Sequence, residues 1–229
     1  MTLPPTIAID GTAASGKSTL GVRLAQRLGY LFFDTGILYR AVTCAAFDRG
    51  IAVADRAAVE RLAGEIDIDL LPPGPEHDDG RTATVLVDGR DVTWEIRTPE
   101  VDQAVSPVSA YPGVRRALLD QQRRIGARGR VVMVGRDIGT VVMPDAELKL
   151  FVDAELETRA ERRYAEAVAR GADVTYAEVL ADMRARDESD RNKPISPMVP
   201  AADAVTVDTT HMDADETVEF VLELMARTR

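Results

Sequence analysis

Apolar positions along the 229-residue chain gather into five short runs, each closed by an acid or a glycine. They are TIAID (Thr6 to Asp10), YLFFD (Tyr30 to Asp34), VVMVG (Val131 to Gly135), LKLFVD (Leu148 to Asp153) and AVTVD (Ala204 to Asp208). A strand with one wet face alternates; most of these runs do not, so they predict strands buried on both faces. Between them the period changes. Leu20, Leu24 and Leu28 recur every four residues and stop at Gly29, which predicts a helix with glycine just past its end. Tyr111 to Arg128 and Asp153 to Gly171 are further helical stretches, and Thr175 with Glu178 makes a capping box that opens another. Strands alternating with helices imply βαβ units, hence an α/β fold: a doubly wound five-stranded parallel sheet with helices on both faces.

One stretch departs from this rhythm. Between Glu65 and Ala104, IDIDLL alternates, PPGPEHDDG reads as a loop, and TATVLVDGRDV predicts two strands turning at Asp88–Gly89. A small antiparallel β insertion at 65–104 is therefore expected within one domain spanning 1–229. No repeat or low-complexity tract interrupts it.

Composition mostly excludes. At 45% hydrophobic and 29% charged residues the chain is globular rather than disordered. A single cysteine, Cys44, rules out an intrachain disulfide and reads as a core residue; with only His77 and His211 besides, a Cys/His zinc cluster cannot be assembled. The net charge of −10 argues against a duplex nucleic-acid partner. No apolar run nears the roughly 20 residues that span a bilayer. The start, MTLPPTIAID, lacks the basic-then-apolar pattern of a secretory leader, so the chain reads as cytoplasmic, with no membrane partner. Of its 28 basic residues 25 are Arg, which grips phosphate or carboxylate bidentately, although an Ala-rich chain also fits a general composition bias.

The chemistry begins after the first predicted strand. Gly11, Thr12, Ala13, Ala14, Ser15, Gly16, Lys17 and Ser18 match G-x-x-x-x-G-K-[ST], and Thr19 continues into the helix. Such a loop turns its backbone N–H groups inward around a phosphate while the helix aims its positive end at the same anion. Lys17 would reach the β- and γ-phosphates of ATP, and the Ser18 hydroxyl would ligate Mg²⁺. The strand–loop–helix context makes this a nucleoside-triphosphate site. A GTPase switch would add D-x-x-G and N-K-x-D; the first is absent, and Asn192-Lys193-Pro194-Ile195 lacks the final acid of the second.

Two further places suggest a second anion. Asp34-Thr35-Gly36 reads as a strand-to-helix turn with Arg40 one turn into the helix, and Gly135-Arg136-Asp137 follows the third core strand. Ligands of open α/β sheets bind at the carboxyl ends of strands, so Arg40 and Arg136 are expected near the loop. A third cluster runs from Arg159 to Lys193. Glu155–Arg159, Glu166–Arg170 and Asp182–Arg186 have the spacing of helical ion pairs, whereas Arg162 and Arg163 share only Glu166, leaving at least one for a transferring phosphate. Lys17, Arg136, Arg159, Arg162 and Arg163 thus form the candidate catalytic set. Ser106, ahead of Pro107, also fits a helix cap.

Taken in order, IAIDGTAASGKST, DTGILYRAV, EIRTPEV, VSPVSAYPGVRRALLDQQR, VGRDIGTVVMPDA and RDESDRNKPISPM resemble the bacterial cytidylate kinases almost end to end. The resemblance implies a P-loop nucleoside monophosphate kinase that phosphorylates CMP or dCMP with Mg·ATP, as a monomer. It implies that 65–104 extends the monophosphate-binding region and that 155–190 forms a helical lid. It places cytosine recognition on Ser106, Arg115 and Asp137, phosphate binding on Arg40, Arg136 and Lys193 with Thr35 nearby, and ribose contacts on Arg186 and Asp190. Lys193 stands where relatives commonly carry Arg, and Val134 where many carry an acid. Asp10, Asp34 and Asp137 therefore all remain candidates to order water around Mg²⁺. A kinase for UMP or a coenzyme precursor, and a nucleotide-binding switch, are the alternatives.

Overall fold

The structure is a computed structural model that describes residues 3–191 and 198–227. Its described elements run β1 (Thr6–Gly11), α1 (Lys17–Leu28), β2 (Leu31–Asp34), α2 (Gly36–Asp48), α3 (Arg56–Glu65), β3 (Ile68–Leu71), β4 (Thr84–Val87) and β5 (Arg90–Asp91). They continue with α4 (Pro99–Ala110), α5 (Pro112–Gly126), β6 (Val131–Val134), β7 (Leu148–Asp153), α6 (Leu156–Ala169), α7 (Tyr176–Arg191), β8 (Val205–Asp208) and α8 (Ala214–Arg227). Five strands form a parallel sheet in the order β2-β6-β1-β7-β8, and β3, β4 and β5 form a separate antiparallel sheet. The chain divides into two compact units, 1–28 with 132–229, and 29–131.

β1 and β6 are buried at every residue, as the continuous apolar stretches Ile7–Ile9 and Val131–Val134 predict. β1 lies parallel to β7, with Ile7 opposite Leu148 and Gly11 opposite Val152. At that last position a Cβ would stand 2.0 Å from the Val152 carbonyl oxygen, and φ is +153°, so the close approach of backbones demands glycine. β8 departs from the expected continuous burial. Thr206 and Asp208 are exposed and only Val207 is buried, because β8 pairs with β7 alone at the sheet's edge and keeps one wet face.

In the second unit the Asp88–Gly89 hairpin forms as predicted, with φ of +50° and +81°. Within this unit α2 packs on β4 and α5 on β3, while α3 and α4 pack on α2 and α5. The apolar pattern does not predict α3 and α4. α3 opens on Asp55, whose side chain accepts from the Ala58 amide at 3.0 Å. α4 contains Pro107, so Ser106 is not a cap but lies within a helix that tolerates the missing donor on its exposed side.

Candidate active site

The loop between β1 and α1 folds around one carbonyl. Thr12 O accepts from the Lys17 ammonium at 2.9 Å, the Ser15 hydroxyl at 3.0 Å and the Ser15 amide at 3.5 Å. Ala14 holds φ +59° and Gly16 φ +87°, left-handed conformations that turn successive amides to one side. For alanine such a φ is strained, a cost that persists at phosphate-binding loops because the surroundings hold it. Here the surroundings are specific. Thr12 Oγ1 donates to Asp153 Oδ1 at 2.6 Å, Arg159 Nη1 to Ala13 O at 3.3 Å, and the buried Thr209 Oγ1 to Ser15 O at 2.9 Å.

These contacts correct two expectations in the Arg cluster. Arg159 does not pair with Glu155; it is 3% exposed and forks onto Asp187, at 2.6 and 3.2 Å, while Nε donates to Ala154 O. Arg162 donates to Thr209 Oγ1 at 3.0 Å, Thr209 O at 2.6 Å and Met212 O. Both guanidinium groups are therefore engaged by a carboxylate, a hydroxyl and carbonyls. Glu166 pairs with Arg163 at 3.2 Å rather than serving Arg170. Arg163 and Arg186 line a cleft of about 280 Å³ with Ala13, Gly16, Lys17, Ser18 and Thr19. Two of the cluster's arginines thus do face the loop.

Arg136 Nη1 bonds Asp190 Oδ1 at 2.6 Å, joining two predicted substrate residues. Desolvation, and next the positive charge of Arg136, push the Arg186 pKa down from its usual value, although it remains a cation. Asp137 is half-buried and opens a wide turn in which its carbonyl accepts from the Val141 and Val142 amides at 2.9 and 3.1 Å. Within the second unit, Arg40 pairs with Asp102 and donates to Ile96 O at 3.3 Å. Ser106 is one turn beyond Asp102 on α4, and the Arg115 guanidinium lies over the Tyr39 ring at 5.9 Å. Thr35, buried, immediately precedes α2. Lys193 lies outside the described residues.

Mg²⁺ is a hard cation that seeks oxygen, and the candidate donors fit it unequally. Ser18 offers an exposed hydroxyl in the cleft that Lys17 lines, which fits. Asp10 is already engaged: its two oxygens accept from the Ile138 and Gly139 amides, each at 2.7 Å. Asp34 Oδ1 accepts from Gly36 N at 2.9 Å. A second cluster of possible ligands, Cys44, Asp48 and Glu95, is closed by Arg90, which pairs with both carboxylates. Burial pushes the Cys44 thiol up to about 11, so it is an unreactive core group.

Sequence reasoning missed Asp153, Asp187 and Thr209, which brace the loop from outside its motif. An acid closing a buried strand, as Asp153 closes β7, is the one signal that could have pointed to them.

Residues 7–227 match the family model for cytidylate kinase. The chain belongs to the cytidylate kinase family. The cytidylate kinase of Herpetosiphon aurantiacus is 48% identical over 225 residues, covering 98% of this chain and 96% of that protein. Those of Roseiflexus castenholzii and Chloroflexus aggregans are 49% and 50% identical, covering 99% and 97% of this chain and 95% and 94% of theirs. As a member of the cytidylate kinase family the protein is an enzyme, a nucleoside monophosphate kinase, that binds nucleotide through its P-loop. Among the described residues no helix is long and apolar enough to cross a membrane.

Proposed function

We propose that the protein transfers the γ-phosphoryl group of Mg·ATP to CMP or dCMP, yielding CDP or dCDP, as a cytoplasmic monomer. The observation that carries this reading is the braced P-loop with Lys17, Ser18, Arg163 and Arg186 in one cleft, in a chain whose family model runs from 7 to 227. Residues Gly11 to Thr19 hold the ATP phosphates, and Ser18 would hold Mg²⁺. When bound, that ion neutralises charge across the β- and γ-phosphates.

The acceptor needs no general base. An oxygen of the CMP phosphate, ionised near neutral pH, attacks the γ-phosphorus in line, and the protein positions two anions while stabilising the charge on the transferring group. Lys17, Arg136 and Arg163 supply that charge. Arg159 and Arg162 act through the loop they brace. Arg40 and Arg136 take the CMP phosphate, with Thr35 beside Arg40 and Lys193 as a further contact; Arg186 and Asp190 take the ribose. Asp102 also pairs with Arg40. The segment 65–104 serves the monophosphate, and 155–190 closes as a lid that excludes water.

Base choice falls to Ser106, Arg115 and Asp137. Cytosine presents an exocyclic amine where uracil presents a carbonyl, so Asp137 accepts from the first and opposes the second. Asp137→Asn is expected to lower the CMP-to-UMP ratio of kcat/KM by about tenfold, the scale of one unsatisfied polar group. An unchanged ratio removes Asp137 from base recognition. The reading as a whole is tested by ADP release from Mg·ATP with CMP, dCMP, UMP, AMP and GMP in turn. Release dependent on CMP or dCMP supports it; release with UMP alone, or slow hydrolysis indifferent to any monophosphate, sinks it.

A further inference from the structure

Asp10 is buried, 4% exposed, at the end of β1, one residue before the P-loop begins. Its carboxylate reaches the segment after β6. Oδ1 accepts from Ile138 N and Oδ2 from Gly139 N, both at 2.7 Å. One residue back, the Ile9 carbonyl accepts from Gly135 N at 3.0 Å. The backbone from 135 to 139 is therefore pinned at both ends to Ile9–Asp10, and Arg136 and Asp137 are the two residues between the pins. Gly139 leaves little play. A Cβ there would stand 3.2 Å from Lys149 Cδ and 3.4 Å from Asp10 Oδ2. Lys149 is itself buried and tied to Asp203 at 2.7 Å.

We propose that Asp10 is a positioning residue for the monophosphate substrate: its carboxylate clamps the Ile138–Gly139 backbone and so sets where Arg136 and Asp137 present themselves beside the P-loop. This rests on the reading of Arg136 and Asp137 as CMP contacts. The carboxylate form is what the clamp needs. A carboxylate accepts through both oxygens, whereas a protonated acid or an amide turns one of its two heads into a donor facing a donor. Burial, opposed by the two amide bonds, raises Asp10 to about 6; of its charged neighbours, Asp137 raises it and Lys17 lowers it. Lys149, the other charge packed on Gly139, points its ammonium to Asp203.

The test uses the full chain, first without nucleotide. In ¹⁵N-labelled protein the Ile138 and Gly139 amide signals are expected to titrate together with a midpoint of about 6, and Asp10→Asn should abolish that titration. In the same variant KM for CMP should rise about 10- to 100-fold and the CMP-to-UMP preference should fall, with KM for Mg·ATP within twofold of the parent. Should Asp10→Asn fail to fold, Gly139→Ala, which pushes the same turn from the other side, should reproduce the rise in KM for CMP. Ile138 and Gly139 amide signals that do not move between the parent and Asp10→Asn, or a folded variant with reduced melting temperature but unchanged KM and base preference, would overturn the clamp. If the two amides titrate as expected but no pyrimidine monophosphate is phosphorylated by the parent enzyme, the substrate reading fails and the clamp stands.

Discussion

Replacing Lys17 with alanine is expected to reduce kcat by about a thousandfold while the protein stays folded. The Lys17 ammonium donates to Thr12 O at 2.9 Å, a carbonyl that the Ser15 hydroxyl and amide also reach. The turn has contacts of its own, so the variant is expected to stay folded. The catalytic loss is large because phosphoryl transfer offers the protein little covalent work. Nearly all of the acceleration comes from placing two anions and from fixed positive charge on the oxygens of the transferring group. One preorganised charge in such a site is worth about 10²–10³ in rate, and Lys17 combines that with positioning the phosphates. Steady-state ADP release and a thermal melt on the same sample check both halves. A turnover near that of the parent enzyme would mean that the loop does not hold the reacting phosphates.

What is legible in the amino-acid sequence depends on the range of each interaction. The core strands and the P-loop are written locally. Residues 7–9 and 131–134 are apolar without break because neighbours cover both of their faces, and the loop's glycines mark backbone shapes. The hairpin at Asp88–Gly89 is equally local. The guanidinium partners are not. Arg159 ignores the acid four residues away for one 28 residues ahead, and Arg162 takes carbonyls nearly 50 residues away, because packing α6 against α7 and the segment after β8 buries those side chains beside fixed acceptors. A helical spacing rule describes solvent-exposed pairs, so it fails where a side chain is enclosed. Asp10 shows the same limit. In sequence it is one more acid closing a strand, and only the fold brings the amides of 138 and 139 to its two oxygens.

The pair Arg159–Asp187 yields the largest expected change in stability. Its side chains are only 4% and 7% exposed, and the contact is a two-pronged fork at 2.6 and 3.2 Å. Asp187→Ala would leave a guanidinium enclosed with two carbonyls, Ala154 O and Ala13 O, and a carboxylate, Asp153, no nearer than 3.8 Å. Removing one partner of a buried ion pair costs about 3–5 kcal/mol, which in a chain of this length lowers the melting temperature by roughly 10 °C. Activity should fall further than stability alone explains. Arg159 is the donor that holds Ala13 O, so its displacement frees one of the three braces on a loop whose Ala14 is already strained. KM for Mg·ATP is accordingly expected to rise. The double variant Arg159→Met with Asp187→Leu separates the two effects, since apolar residues of similar volume can replace a buried pair with little loss of stability but cannot donate to Ala13 O. Its melting temperature should return toward that of the parent while KM for Mg·ATP stays high. A single variant destabilised by less than about 1 kcal/mol would show that water reaches Arg159, and a double variant with normal KM would show that the loop keeps its shape without this brace.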